Sequence, residues 1–306
     1  PTVTIESVHL DLIPGERVRT AELALALRAS EGGNYPVRLP DGAVVSAVIV
    51  NGEIQPIPLN DGVVALPVIP GETDYQISWR NEVNAGLMFT SPQVNLASPA
   101  NNITLSTQFP RDRWVLLLGG PDLGPAMLIW GVLIVVTLVG VALSRVPGLP
   151  LTLVDAVLLA AGLTLCNLPT TLLVAAWFVV MLVREHWVNA TESRQWKNFI
   201  QVITATVSIV AVAGLVLSVP FALLGSPEMQ ITGNGSTGYS YRWFSDHAGV
   251  ALPTAWVFSL PLWVYRGAML LWSLWLAFAL LRWMKWAWQR WSTPEGWFAK
   301  EVITHP

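Results

Sequence analysis

The chain has 306 residues and a formal net charge of −3; 53% of the residues are hydrophobic, 12% are charged, and the mean hydropathy is +0.52. Soluble domains carry about 25% charged residues, so this composition excludes an ordinary soluble protein. The sequence contains no Walker motif, kinase signature or basic stripe, which excludes ATP hydrolysis and nucleic-acid binding as activities of this chain.

Charge and polarity divide the chain near residue 122. Residues 1–122 hold 13 acidic and 7 basic residues, whereas residues 123–306 hold 7 acidic and 10 basic ones. A polar, acidic third therefore precedes an apolar, mildly basic remainder, and we expect two domains. Cys166 is the single cysteine, which excludes an intrachain disulfide, and its apolar neighbours indicate a packing residue.

Residues 1–118 predict an extracytoplasmic all-β domain. Segments such as TVTIESVHLDL and TAELALALRAS alternate apolar and polar residues, and turn signals recur about every 8–12 residues. Asn51-Gly52 and Asp61-Gly62 are dipeptides typical of tight hairpins, because glycine tolerates positive φ. We expect about eight or nine strands in an immunoglobulin-like or jelly-roll-like sandwich.

A stretch rich in glycine and proline, residues 119–126, predicts a short neck between this domain and the membrane. Arg113 precedes the neck and is expected to contact lipid phosphate as an interface anchor.

Residues 127–291 predict a helical transmembrane domain. Its five apolar segments cover approximately residues 124–145, 149–166, 168–183, 198–224 and 257–281. The second and third segments are short, so they form either two spans in a tight hairpin or a re-entrant pair.

Lysine and arginine are distributed unequally between the two sides of this five-segment arrangement. One side carries eight of them, and the opposite side, apart from the β domain, carries only Arg242. Cytoplasmic loops carry the excess of positive charge, so we expect a cytoplasmic C-terminus. In a bacterium this predicts an inner-membrane protein with a periplasmic β domain.

The fifth segment continues as RWMKWAWQRW, which predicts an amphipathic interfacial helix over residues 282–291. Its tryptophans are expected to anchor the helix in the headgroup layer; they are Trp283, Trp286, Trp288 and Trp291. Residues 292–306 follow as a predicted cytoplasmic tail.

Two ionisable residues, Asp155 and Arg266, fall within the predicted spans, where charges are expensive and often functional. Asp155 would lie about 9 Å from one face of the hydrocarbon core and Arg266 about 8 Å from the other, with roughly 13 Å between them. We therefore expect each side chain to reach its own interface by snorkelling. A coupled functional pair is the alternative.

The polar segment 226–253 predicts an outer loop with side chains suited to binding a saccharide, a peptide or a lipid headgroup. These side chains are Tyr239, Tyr241, Arg242, Trp243, Asp246 and His247. Docking of the loop against the β domain explains the same composition, and we favour it. No metal site is expected, because the four histidines are scattered over both sides.

Three runs of sequence resemble uncharacterised proteobacterial inner-membrane proteins with a large periplasmic portion and a C-terminal helical bundle: RWVLLLGGPDLGPAMLIWG, GSPEMQITGNGS and YRGAMLLWSLWLAFALLRW. The resemblance covers roughly residues 108–291. It implies that the chain is the end of a longer polypeptide, and it implies no catalytic residue.

Three functions are compatible with these observations. We favour a non-catalytic envelope protein that presents its β domain for scaffolding, sensing or partner binding. The second is a transporter or channel component using Asp155 and Arg266, and the third is a membrane-surface enzyme with a site around Arg242, Asp246 and His247. The expected partners are the lipid bilayer and other envelope proteins or an upstream part of the same polypeptide. No cofactor is expected.

Overall fold

The computed structural model describes residues 3–82, 86–166, 168–190 and 193–292. The chain divides into two compact units. The β unit comprises Pro1–Leu128 and Met229–Leu262, and the helical unit comprises Ile129–Glu228 and Trp263–Pro306. The predicted tail after Ser292 and the side chain of Cys166 lie outside the described residues.

Within the described ranges the β unit contains sixteen strands. They are β1 Val3–Pro14, β2 Val18–Ala29, β3 Gly33–Arg38, β4 Val44–Val50, β5 Glu53–Ile54, β6 Leu59–Asn60, β7 Val63–Val68, β8 Gly71–Glu82, β9 Met88–Thr90, β10 Asn95–Leu96, β11 Ala100–Gln108, β12 Arg113–Gly119, β13 Ala126–Met127, β14 Ile231–Thr232, β15 Ser240–Ala248 and β16 Trp256–Pro261.

The largest sheet has seven strands in the order β15-β11-β1-β2-β8-β4-β5. A four-stranded sheet (β10-β3-β7-β6), a three-stranded sheet (β12-β16-β9) and the pair β13-β14 complete the unit. Strands β1 and β11 run parallel, and the other pairs are antiparallel.

Alternation along the strands gives the seven-stranded sheet one buried face. On β2, for example, Leu23, Leu25 and Leu27 are fully buried, while the residues between them point to the opposite face. The buried face meets the four-stranded sheet, where the Tyr75 hydroxyl donates to the Pro67 carbonyl at 2.6 Å. A layered β region is therefore present; its assignment as immunoglobulin-like or jelly-roll-like stays a prediction.

Two tight turns follow the sequence prediction. Asn51 and Gly52 have φ of 49° and 85°, and Asp61 and Gly62 have φ of 48° and 76°. Two consecutive residues with positive φ give the turn twist that matches antiparallel strands. These turns join β4 to β5 and β6 to β7.

The predicted outer loop 226–253 is largely part of the β unit. Strand β15 pairs with β11, and β16 pairs with β12 and β9, so the predicted fifth span is a strand up to Pro261. The loop assignment was wrong because the glycine-, serine- and asparagine-rich run before residue 240 indicated a loop, whereas a strand with period-two alternation begins at Ser240.

The predicted neck also belongs to the β unit rather than to a linker. A Cβ atom added to Gly120 or Gly124 would lie 2.5 Å from the indole of Trp243. Leu123 forms a bridge with Phe244, and the Asp122 carboxylate accepts a hydrogen bond from the Ser245 hydroxyl. The glycines therefore serve close packing under a tryptophan ring.

The helical unit contains five helices within its described residues: α1 Ile129–Ser144, α2 Leu153–Cys166, α3 Leu168–Ala190, α4 Arg194–Leu224 and α5 Leu262–Trp291. Three of them contain stretches long and apolar enough to cross a membrane, namely Pro169–Ala190, Gln195–Phe221 and Leu262–Trp291. The first predicted span, 124–145, becomes helical only at Ile129, because Ala126 and Met127 pair with β14.

Contacts along α5 fix the directions of its neighbours. Position 155 of α2 bonds position 282 of α5, and position 158 bonds position 272, so α2 runs antiparallel to α5. On α3, Phe178 packs against Trp283 and Arg184 reaches the end of α5, so α3 runs parallel to it. The segments 149–166 and 168–183 are therefore two antiparallel helices.

Helix α5 continues without interruption through the segment predicted as a separate interfacial helix. Its inward residues recur every three or four positions: Tyr265, Met269, Trp272, Leu276, Ala279, Trp283 and Ala287. Its outward positions hold large exposed apolar side chains, including Leu271, Phe278 and Leu281. An apolar outer surface is what a lipid environment favours and water opposes.

Candidate functional site

The second face of the seven-stranded sheet, which we call the outer face, carries mostly polar and small residues. Because side chains alternate, residues paired across strands form rows on this face. One row contains Phe244, Thr104, His9, Ala24, Gln76 and Ile49. A second row contains Arg242, Ser106, Asp11, Glu22, Ser78 and Ala47.

A concave pocket of about 320 Å³ lies in the middle of the outer face. Small side chains at Ala24 and Ala26 form part of its lining, and Ser7, His9 and Gln76 contribute hydrogen-bonding groups. The volume lies at the lower end of the range of about 300–1,000 Å³ for small-ligand sites. Imidazole, hydroxyl and carboxamide groups can bind a polar ligand or an extended peptide laid across the strands.

Hydrogen bonds hold the two acidic side chains of the second row in place. The Ser106 hydroxyl donates to the Asp11 carboxylate, and the Gln76 amide donates to the Glu22 carboxylate. Asp11 and Glu22 are directly paired on adjacent strands, where like charges repel, so these donors offset part of that cost. The outer face is therefore ordered by its own polar network.

Two of the six predicted binding residues, Tyr241 and Trp243, belong to the core. Both side chains are fully buried on the inner face of β15, with ring centroids 6.3 Å apart. The Tyr241 hydroxyl donates to the Gly238 carbonyl at 2.8 Å. Burial, and to a lesser extent the neighbouring Tyr239, raises the pKa of Tyr241 well above its ordinary value. These aromatic rings pack and do not offer a stacking surface.

The other four residues do not come together in one cleft. Arg242 and Asp246 are exposed and lie four positions apart on β15, which is about 13 Å along a strand. The His247 ring contacts Asn101, with 2.8 Å between Nδ1 and Oδ1, and Tyr239 lies under the Arg111 guanidinium. The arrangement required of a site using Arg242, Asp246 and His247 is absent from this strand.

Arg113, expected at the lipid phosphates, makes its hydrogen bonds within the β unit. Its Nε donates to the Ser259 hydroxyl at 2.9 Å, and its Nη2 donates to the carbonyls of Gly86 and Ser259 at 2.7 and 3.0 Å. The guanidinium therefore joins β12, β16 and the loop before β9.

Asp155 is buried and paired with a different arginine from the one considered in the sequence. Its Oδ1 accepts from Arg282 Nη2 at 2.7 Å. Arg266 is exposed and precedes Arg282 by sixteen residues, about 24 Å along α5, so a coupled Asp155–Arg266 pair is not formed.

The same carboxylate also caps a helix. Asp155 Oδ2 accepts from the Thr152 backbone N–H at 3.2 Å, and the Thr152 hydroxyl accepts from the Asp155 N–H at 3.1 Å. This reciprocal pair is a capping box, which satisfies two otherwise unpaired donors at the start of α2. The spacing Thr-x-x-Asp was readable in the sequence and was missed.

A second buried polar cluster, also missed, surrounds Arg184 on α3. Its guanidinium donates to the Arg290 and Trp291 carbonyls at 2.5 and 3.3 Å and to Gln201 Oε1 at 3.3 Å. A cation at the free carbonyls of a helix C-terminus is stabilising. Arg184 therefore terminates α5. In the sequence it was only an arginine directly after the apolar segment 168–183.

The four predicted tryptophan anchors have different environments. Trp283 is fully buried against Phe178, so it packs inside the helical unit rather than at a surface. The Trp286 indole donates to the Gly148 carbonyl at 3.0 Å. Trp288 is largely exposed and lies beside Trp291, with ring centroids 5.4 Å apart.

Within the described ranges, no group of three or more His, Cys, Asp and Glu side chains is arranged to hold a metal ion.

No protein-family model matches the chain, and no curated protein matches it either. Among solved structures, the chain is similar to the M1 zinc metallopeptidase from Deinococcus radiodurans, with a TM-score of 0.31 and 16% identity. It is also similar to a two-domain M1 zinc metallopeptidase mutant bound to L-tryptophan, with a TM-score of 0.31 and 14% identity. These matches cover 40% of this chain and 35–36% of the other chains, so the chain spans about a third of their length.

Proposed function

We propose that this protein is a non-catalytic bacterial inner-membrane protein that presents its β unit in the periplasm and binds a partner on the outer face. The observation that carries the proposal is the outer face itself. It is a polar surface with a concave centre on a sheet whose opposite side is buried. Broad polar faces of this kind suit an extended polar ligand or a protein surface.

The path of the chain supports a five-segment membrane bundle. Helices α1 and α5 both begin where the chain leaves the β unit, and the turn after α1 reaches Trp286 near the end of α5. The 16 residues of α1 extend about 24 Å, most of the roughly 30 Å hydrocarbon core. The 14 residues of α2 extend about 21 Å, which is less than the roughly 30 Å hydrocarbon core.

The three connections between the units support a presenting role. The chain passes between them at Leu128, Glu228 and Leu262, and Pro261 of β16 is followed at once by the first residue of α5. The β unit is therefore joined to the helical unit at three points of the chain. The likeness to inner-membrane proteins with a large periplasmic portion is consistent with this proposal, and the partner then includes other envelope proteins.

Cysteine labelling tests the orientation. In a Cys166→Ser background, single cysteines replace Asp61 in the β6–β7 turn or Gln289 on α5. A membrane-impermeant maleimide applied to spheroplasts should label the Asp61→Cys protein, and it should label Gln289→Cys only after the membrane is permeabilised. The reverse pattern would refute a periplasmic β unit.

Site-specific photo-crosslinking in cells tests partner binding. A photoreactive amino acid replaces Gln76 on the outer face or, as the control, Asp41 in an exposed turn. We expect a discrete adduct from position 76 alone, and we expect Ala26→Trp to abolish it, because the indole would occupy the pocket. Equal adducts from both positions would contradict the proposed surface.

A further inference from the structure

We propose that the helical unit holds one acyl chain of a membrane phospholipid in an apolar groove formed by α3, α4 and α5. The groove has a volume of about 590 Å³. Trp177 and Met181 of α3 are buried and form its floor, whereas Ile209, Val216 and Trp288 are exposed around its opening. This inference depends on the membrane location of these helices but not on partner binding by the β unit.

The lining of the groove is almost entirely apolar. Among the side chains that line it, the Ser208 hydroxyl donates to the Thr204 carbonyl at 2.7 Å and accepts from the Trp177 indole at 2.9 Å. The lining tryptophans and methionines present rings and thioethers to the space, and these groups adapt to a flexible hydrocarbon. A hydrocarbon chain is therefore the chemistry that fits.

The dimensions of the groove match one leaflet of a bilayer. Its lining on α4 runs from Ala205 to Val216, eleven steps along the helix, or about 17 Å. Half of a hydrocarbon core of roughly 30 Å is about 15 Å. All three helices contain stretches that meet the requirements for crossing a membrane, so the groove opens to lipid tails.

The two ends of the groove differ, and the difference sets the direction in which the acyl chain lies. Helix α4 runs antiparallel to α5. Gln201 bonds Arg184, which reaches the end of α5, whereas the later Ser208 bonds Trp177, which lies beside the earlier Trp286. Ala205 and Trp291 therefore mark one end, and Val216 marks the other. Trp288, Trp291 and Lys197 lie towards the first end, where an anionic headgroup is favoured.

Photo-crosslinking from lipid tests the proposal. The protein is reconstituted into phosphatidylethanolamine–phosphatidylglycerol vesicles containing a trace of phosphatidylglycerol with a diazirine near the end of one acyl chain. Mass spectrometry should locate adducts at the end of the groove marked by Val216, which is the end deeper in the bilayer. The amount of adduct there should be well above the amount at Phe278 on the outward surface of α5. Equal labelling at the two places would overturn the proposal while leaving the membrane location intact.

Two valine substitutions on α4 provide a matched comparison. Val212 lines the groove, whereas Val210 is exposed outside its lining. We expect Val212→Trp to lower groove adducts by roughly tenfold, the loss that follows when a fitted pocket is filled, and Val210→Trp to leave them unchanged. Equal effects of the two substitutions would overturn the proposal.

A smaller obstruction and a competing occupant complete the design. If Val212→Trp does not fold, Ala205→Leu narrows the end of the groove nearer the headgroups, and unchanged groove labelling would then refute the bound acyl chain.

A second copy of this protein is the competing occupant. Oxidation of a Val212→Cys protein in the Cys166→Ser background to a disulfide-linked dimer would show that another protein chain covers the groove.

Discussion

Replacing Gly162 with alanine should destabilise the helical unit through a single contact. A Cβ atom at Gly162 would lie 1.9 Å from Cε2 and 2.2 Å from Nε1 of Trp272. Non-bonded atoms do not approach so closely, so the indole must move. Its hydrogen bond to the Leu158 carbonyl, 2.8 Å long, is then strained or broken.

The expected loss of unfolding free energy in Gly162→Ala is the sum of three contributions. Overpacking costs about 1–3 kcal/mol, and loss of the indole hydrogen bond costs about 1 kcal/mol. The higher helix propensity of alanine returns about 1 kcal/mol. The net loss is roughly 2 kcal/mol, which corresponds to a fall in the melting temperature of roughly 4–8 °C.

Gly267→Ala is the matched control, because a Cβ there meets no atom within 4 Å and the residue lies within α5. This variant should be unchanged or slightly more stable, from helix propensity alone. Thermal unfolding of detergent-solubilised protein, followed by circular dichroism, measures both. Trp272→Phe removes the clashing ring atoms, so it should reduce the cost of Gly162→Ala. If Gly162→Ala melts at or above the temperature of Gly267→Ala, the packing argument is wrong.

The remaining predictions concern ionisable groups. Arg282→Met should lower the free energy of unfolding by about 1–2 kcal/mol, because it leaves the buried Asp155 carboxylate without its cation. The expected loss is below that of a fully buried pair because Arg282 is half exposed. Lys285→Met, at an exposed position, should change the free energy of unfolding by less than about 0.5 kcal/mol. Equal losses for the two variants in chemical unfolding would show that the ion pair does not stabilise the protein. Burial raises the pKa of Tyr241, so the neutral phenol stabilises the β unit fully below about pH 10 and progressively less above it. Tyr241→Phe should reduce this loss of stability at alkaline pH, measured by tryptophan fluorescence, although the variant lacks the hydrogen bond to Gly238 at neutral pH. An unchanged alkaline transition would show that Tyr241 is not the titrating group.

The sequence predicted features whose signals are local. Alternation along TAELALALRAS reports directly on β2, and glycines after Asn51 and Asp61 report on the turns. The long apolar segments likewise predicted the three helices capable of crossing a membrane. Each of these features depends on residues within about one element of one another.

Apart from the local capping box of Thr152 and Asp155, the features that were missed depend on residues far apart in the chain. Ala100 pairs with Ala248, and Asp155 with Arg282, across separations of 148 and 127 residues. No local period encodes such partners. Glycines in the predicted neck resemble a linker in sequence, because the indole of Trp243, which they must accommodate, lies more than 100 residues later.

The two sequence segments of the β unit are separated by about 100 residues of the helical unit, so they are synthesised at different times. Residues 3–119 emerge from the ribosome before residues 240–261. Strand β11 therefore lacks its partner on one edge, and β12 lacks its sheet partner, until β15 and β16 follow more than 100 residues later. Unpaired edges template association with other chains, so the nascent protein passes through a stage that invites aggregation. Truncation before residue 240 would trap that stage and leave a half-built sheet.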